Sequence, residues 1–174
     1  LMIGATAVGI SLSTGMLIGL IAAYRKGIIE QMLMRGTDVL FSFTETLIAL
    51  SCVAVLGPSL ENAVIAVGIA GIPYYARICY SAALVESSKP YYEASIACGA
   101  GHFRLIVYHL LPNVLPTMIV VSTLGVSTAI LAAAGLSFLG LGAQPPLPEW
   151  GYMLAGSRDY ICLLYTSPSP RDRV

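Results

Sequence analysis

"EASIACGAGHFRLIVYHLLPN", Glu93 to Asn113, lies between two apolar stretches and gathers a carboxylate, an arginine, both histidines of the chain, two glycines and a proline into one short span. Pro90, just ahead of it, suits the first turn of a helix, where its missing N–H costs nothing. Glu93 then falls where the positive end of the helix dipole favours an acid. Gly99 and Gly101 can end that helix. The pattern predicts a short helix from Tyr91 to Cys98, a glycine turn, and a second helix from His102 to Leu111. On the second helix Phe103, Ile106, Val107 and Leu110 form an apolar side, while Arg104 and Tyr108 point elsewhere. Pro112 is expected to close the unit. A compact helix–turn–helix between two greasy stretches reads as a docking element for a soluble partner.

The surroundings make those stretches membrane spans. The chain is 57% hydrophobic and 10% charged, with a mean hydropathy of +0.82, whereas soluble domains carry about 25% charged residues. Nine basic and nine acidic residues balance to zero with no basic run, so a nucleic-acid partner is excluded. Cys52, Cys79, Cys98 and Cys162 have neither CxxC nor disulfide-framework spacing and read as small apolar residues. The chain opens inside an apolar run with no charged segment or cleavage site ahead of it, the mark of a piece of a longer chain rather than a signal peptide.

Leu1 to Ala23 carries no charge; as a helix it reaches about 35 Å, enough for a hydrocarbon core of about 30 Å. Further spans are expected at about 39–60, 62–80 (with Pro73 inside) and 114–134, with the loop 86–112 between the last two. Lys and Arg concentrate on the cytoplasmic side. Arg25, Lys26 and Arg35 follow the first span, and Arg77, Lys89 and Arg104 follow the third, while the turn from Gly57 to Asn62 holds only Glu61. The Glu93 segment therefore faces the cytoplasm and Leu1 starts outside. Tyr74 and Tyr75 beside Arg77 are expected in an aromatic belt at the inner edge.

Two patterns within the spans invite tertiary readings. Ser11, Gly15, Gly19 and Ala23 recur every four residues and form a low-relief stripe that allows close helix packing. Asp38, Ser42 and Glu45 fall on one side of the second span. Acids within a membrane are functional candidates, although Asp38 can rest among headgroups and Glu45 can pair or snorkel.

With these residues in view, the chain resembles the permease subunits of ABC importers. Glu93-Ala94-Ser95, three residues, Gly99, nine residues, His109, one residue, Leu111-Pro112 is similar to their EAA loop. Ser95 replaces the usual second alanine, and His109 stands where an aliphatic residue is frequent. A second stretch, "GLSFLGLGAQPPLPEWGYML" from Gly135 to Leu154, looks like the segment after the fifth helix in C-type subunits of dipeptide, oligopeptide and nickel transporters. The resemblance covers residues 1–160. Thr44 replaces a frequent proline, which puts a kink there in question.

The resemblance implies an all-α, polytopic transmembrane bundle in a bacterial or archaeal inner membrane. Its EAA-type coupling helix would set Glu93, Ala94, Ser95, Gly99, His109, Leu111 and Pro112 against a cytoplasmic ATPase. Gly140, Gly142, Gln144, Pro145, Pro146 and Trp150 would form an outer-loop motif. It further implies a second permease subunit, two ATPase subunits that bind the ATP and magnesium, a substrate-binding protein outside, and surrounding lipid. The cargo would be small peptides, nickel or other small solutes. It also implies a further span after Tyr160, where the sequence instead turns polar as "LLYTSPSPRDRV", so the tail 161–174 is expected to be foreign.

Absent motifs narrow the chemistry. No G-x-x-x-x-G-K-[ST] occurs, so ATP hydrolysis must sit on another chain and no cofactor is expected on this one. His102 and His109 are seven residues apart, whereas a helical zinc pair sits at i and i+4; no metal site is expected. Ser137 could suggest an intramembrane protease, but both histidines fall across the bilayer from it. The competing reading is a secondary transporter or channel subunit without an ATPase partner.

Overall fold

The computed structural model describes residues 2–25, 27–142 and 149–166, and these form an all-helical bundle. In chain order come α1 (Met2–Tyr24), α2 (Ile28–Phe41), α3 (Glu45–Leu56), α4 (Leu60–Ser87), α5 (Pro90–Ala97), the single turn α6 (His102–Arg104), a π-helix (Leu105–Leu110), α7 (Leu111–Phe138) and α8 (Trp150–Thr166). Met2–Tyr24, Leu60–Ser87 and Leu105–Phe138 are each long and apolar enough to cross a membrane, and α2 with α3 makes a fourth candidate if the bent pair is one span.

The core is α1 laid against α4, with α7 across both. Small residues make this possible. A Cβ on Gly15 would stand 2.9 Å from the Ala76 nitrogen, and one on Gly19 would stand 2.7 Å from the Ala76 oxygen. Ser11 Oγ bridges the two helices by donating to the Gly68 carbonyl at 2.6 Å, while Ala22, Ala23, Ala76 and Cys79 are buried around the seam. In lipid, where apolar surface gains little from leaving its surroundings, such backbone approach and dispersion hold helices together. Leu110 at the end of the π-helix and Val114 and Met118 of α7 recur every four residues and are fully buried, a single stripe.

The helix ends are set by local chemistry. Between α3 and α4, Gly57 stands at φ +92°. Ser59 Oγ accepts from the Asn62 N–H at 3.1 Å, and Asn62 Nδ2 donates to the Leu56 carbonyl at 2.8 Å, so a side-chain cap starts one helix and caps the carbonyl end of the other. At the far end of α7, Gly140 at φ +80° makes a Schellman turn: Leu141 N–H donates to Leu136 O and Gly140 N–H to Ser137 O, both at 3.0 Å.

Four expectations need correction. The second span is not one helix over 39–60: α2 and α3 meet at 89° across Ser42–Thr44, and α3 alone spans only about 18 Å. Thr44 supplies the break without proline, since its backbone (φ −63°, ψ 136°) is extended at the N-cap of α3 and its φ is the value a proline ring would fix. The break also separates Asp38 from Glu45; Asp38 pairs with Arg77 at 2.7 Å. Tyr75, expected at an interface, is buried in the core, while Tyr74 stays half exposed. Pro112 does not end a helix, because the chain remains helical from His102 to Phe138.

The seam yields a direct test. Gly19→Ala should lower the thermal stability of the purified protein in detergent by about 1–3 kcal/mol through overpacking, whereas Gly9→Ala, with nothing within 4 Å of the added carbon, should be neutral. Equal melting of the two variants would contradict the close α1–α4 contact.

Candidate functional site

The polar segment folds as an elbow between α4 and α7. Lys89 is the N-cap of α5 in extended conformation and Pro90 occupies its first turn. At the other end Gly99 stands at φ +79°; its N–H donates to Ile96 O at 2.9 Å, and the Ala100 N–H donates to Ser95 O at 3.1 Å. This is again a Schellman turn, and it gives Gly99 a backbone reason to be glycine, since a side chain is strained at positive φ.

The second arm departs from its expected register. Leu105–Leu110 is a π-helix in which the Leu111 N–H donates to Ile106 O, five residues back. The wider turn redistributes the faces: Leu105 and Leu110, five apart, are buried, and Phe103 is 76% exposed instead of forming the apolar side. The π-turns directly precede Pro112, and Asn113 Nδ2 donates to the His109 carbonyl at 2.7 Å, so the helix continues through a residue that lacks an N–H. Insertions of this kind recur at functional sites.

Side chains lock the elbow to its supports. Glu86, at the end of α4 and 7% exposed, pairs with Lys89 Nζ at 2.7 Å and accepts from the Tyr91 hydroxyl. Asn113 Nδ2 donates to that same hydroxyl oxygen at 3.3 Å. Tyr91 thereby joins α4, α5 and α7 at one atom. Partial burial, and next the Glu86 carboxylate, push the Tyr91 phenol up to about 12, so it stays protonated and donating at neutral pH. Tyr92 points inward and is buried.

An open cleft of ≈ 410 Å³ in the elbow brings together Ala94, Ser95, Gly99 and His109, with Arg104 at its edge. Glu93 and Ala94 are exposed, as are Ile96 and Tyr108 beside Phe103. Leu111 and Pro112 lie outside the cleft, in the first turn of α7. Ser11, Gly15, Gly19 and Ala23 belong to the α1–α4 seam and do not line the cleft, although Ala23 borders a neighbouring cavity with Tyr92, Ile96 and Ala100 of the elbow. At the opposite end of α7, Gly140 makes its turn, and Gly142 comes against Ser137 so closely that a Cβ would meet the Ser137 Cα at 2.9 Å. Ser137 donates to the Glu149 carboxylate, and Trp150 is 88% exposed. Gln144, Pro145 and Pro146 lie outside the described residues.

Residues 15–167 match the family described as binding-protein-dependent transport system inner membrane component. The chain belongs to that family. Its similarity is 46% identity over 161 residues to the di/tripeptide transport system permease protein DppC of Pseudomonas aeruginosa strain UCBPP-PA14, covering 92% of this chain and 53% of the relative. It is 44% identical over 161 residues to a dipeptide transport system permease protein of Alkalihalophilus pseudofirmus, covering 92% and 53%. Against the glutathione transport system permease protein GsiD of Pectobacterium atrosepticum it is 39% identical over 155 residues, covering 89% and 52%. The chain thus spans about half the length of the curated relatives it matches. The family match and α8 both run past residue 160, where the sequence suggested a foreign tail; residues 167–174 lie outside the described residues.

Sequence reasoning missed Tyr91, Glu86 and Asn113 as a unit in this inner membrane component. Only Glu86, an acid at the end of a long apolar run, offered a signal. Tyr91→Phe should loosen the elbow by about 2 kcal/mol, the scale of a hydrogen bond to a charged group, read as faster backbone hydrogen exchange over residues 88–101. With its pKa raised in the fold, Tyr91 contributes fully below pH about 10, and that contribution should fade as the pH rises toward 12; wild-type exchange rates in the variant would contradict the lock.

Proposed function

We propose that this chain forms part of the translocation pathway of an ABC importer for small peptides, with ATP hydrolysis on separate cytoplasmic subunits. In this reading it pairs with a second permease subunit and receives cargo from a substrate-binding protein outside. The elbow at 86–112 is the coupling element, and α5 is its contact helix. The observation that carries the assignment is the elbow itself, in a chain of this family. It has an exposed Glu93 and Ala94, a cleft lined by small residues, and uncovered Ile96, Phe103 and Tyr108, all continuous with two long apolar helices. Small residues let a partner's backbone approach, and exposed aromatic rings supply apolar area for it to cover.

The Tyr91 lock gives the coupling a physical route. A push on α5 reaches α4 through Glu86 and α7 through Asn113 rather than being absorbed in a loose loop. Uncovered Ile119, Val120, Leu124 and Leu131 on α7 offer a face for lipid or a second permease subunit. The peptide cargo follows the names of the three relatives, which are di/tripeptide, dipeptide and glutathione systems. Gly140, Gly142 and Trp150 belong, in this reading, to the outer segment that meets the delivery protein.

Glu93→Lys with Ala94→Leu alters two exposed positions and should leave membrane insertion intact. In the complete transporter reconstituted in vesicles, it should cut ATP-dependent dipeptide uptake at least tenfold and abolish the stimulation of ATP hydrolysis by the loaded binding protein. Unchanged uptake would refute the docking role, and uptake by the wild-type chain without any ATPase subunit would favour a secondary transporter.

A further inference from the structure

Between α1, α4 and α7 lies a cavity of ≈ 270 Å³ whose polar lining comes from Ser11, Glu45, Tyr74, Tyr75 and Thr128. It lies midway along the bundle, since Ser11, Gly71 and Gly125 stand near the middle of their helices, and it opens to one side, where Glu45, Tyr74 and Thr128 are exposed. Two of its hydroxyls are already committed. Ser11 Oγ donates to Gly68 O, and Thr128 Oγ1 donates to Gly125 O at 2.9 Å.

Two other groups are not committed. Tyr75 is 4% exposed, and its buried hydroxyl has no hydrogen-bond partner among the described residues. It reaches from α4 across to α7, where Gly125 leaves room: a Cβ there would collide with the Tyr75 oxygen. Glu45, the other uncommitted group, opens the first turn of α3 beside the 89° break. Neither ion pair among the described residues involves it, Asp38 having taken Arg77 and Glu86 having taken Lys89. A buried hydroxyl without a partner is costly in a bundle this apolar, and Glu45, exposed at the mouth of the cavity, is a carboxylate without a base. Both open onto one cavity. Transporter sites form at broken helices, because irregular backbone is tolerated within a membrane only where it is buried in protein or lines a cavity.

The chemistry that satisfies both groups is cationic. An ammonium brings a positive charge and three donors: Glu45 would neutralise the charge, the Tyr75 oxygen would accept one hydrogen bond, and the neighbouring Tyr74 ring would add attraction through its face. The volume sits just under the range of about 300–1,000 Å³ usual for ligand pockets, so it suits one end of a small solute rather than the whole. Small peptides carry such an end, because an α-amino group with a pKa near 7.7–8.0 is largely protonated at neutral pH.

We propose that the cavity between Glu45 and Tyr75 receives the α-ammonium end of a small peptide during its passage through the membrane. The proposal rests on the peptide-importer reading above, and the test separates the two. Dialanine uptake and ATP hydrolysis are measured in vesicles holding the complete transporter and its binding protein, for wild type, Glu45→Gln and Tyr75→Phe. Tyr75→Phe removes an oxygen that makes no hydrogen bond among the described residues, so melting temperature should not fall. The expected result is a Vmax for uptake at least tenfold lower in Glu45→Gln and severalfold lower in Tyr75→Phe. KM should be little changed, because delivery sets it, and binding-protein-stimulated ATP hydrolysis should continue. Wild-type uptake by Tyr75→Phe would overturn the proposal and leave the importer reading standing. A wild-type transporter that moves no peptide would overturn both.

Discussion

The close approach of α1 to α4 is the constraint on which the remaining structure depends. Gly15 and Gly19 bring the backbones so near that a methyl group has no place between them, and Ser11 adds a hydrogen bond across the seam. In a soluble protein, expulsion of water from apolar side chains would dominate helix packing; here nearly every face is apolar, and shape decides which face is used. With α1 and α4 fixed, Tyr75 is held in the interior and must find room on α7, which supplies it at Gly125. The cavity beside Glu45 is the space that remains when a tyrosine fills part of a gap lined by glycine and alanine.

The same seam positions the elbow. As one continuous helix, α4 runs from its N-cap at Ser59 to Ser87, so its C-terminal end, and Glu86 with it, is rigidly referenced to the core. The elbow is anchored at that end by a carboxylate, a lysine and a phenol, and at the other by a helix that enters α7 without interruption. The π-turns reconcile two demands at that entry: Leu105 and Leu110 must both face inward, and Pro112 must be accommodated in a continuing helix. An α-helical register would meet neither as well. The arrangement leaves Glu93, Ala94 and Ile96 of α5 exposed while its base is immobilised.

Much of this was legible in the sequence because it rests on local rules. Apolar length gives spans, the four-residue recurrence of Ser11, Gly15, Gly19 and Ala23 gives a packing face, and Pro90 with Gly99 brackets α5 because a missing N–H and a positive φ are properties of single residues. The polar segment at Glu93–Asn113 stands out against its surroundings for an equally local reason.

What the tertiary structure alone decided is which residues meet. Glu45 and Asp38 look equivalent along one helical face, yet the break at Ser42–Thr44 sends Asp38 to Arg77 and leaves Glu45 facing a cavity, because extended backbone at Thr44 ends the helical phase that would relate them. Tyr74 and Tyr75 read as a pair of interfacial aromatics, yet adjacent residues on a helix point about 100° apart, so one enters the core and the other does not. The π register that buries Leu105 in place of Phe103 has no signature in spacing, since it arises from packing against two other helices. Tyr91, Glu86 and Asn113 are separated in the chain and become one unit only when α4 and α7 stand side by side.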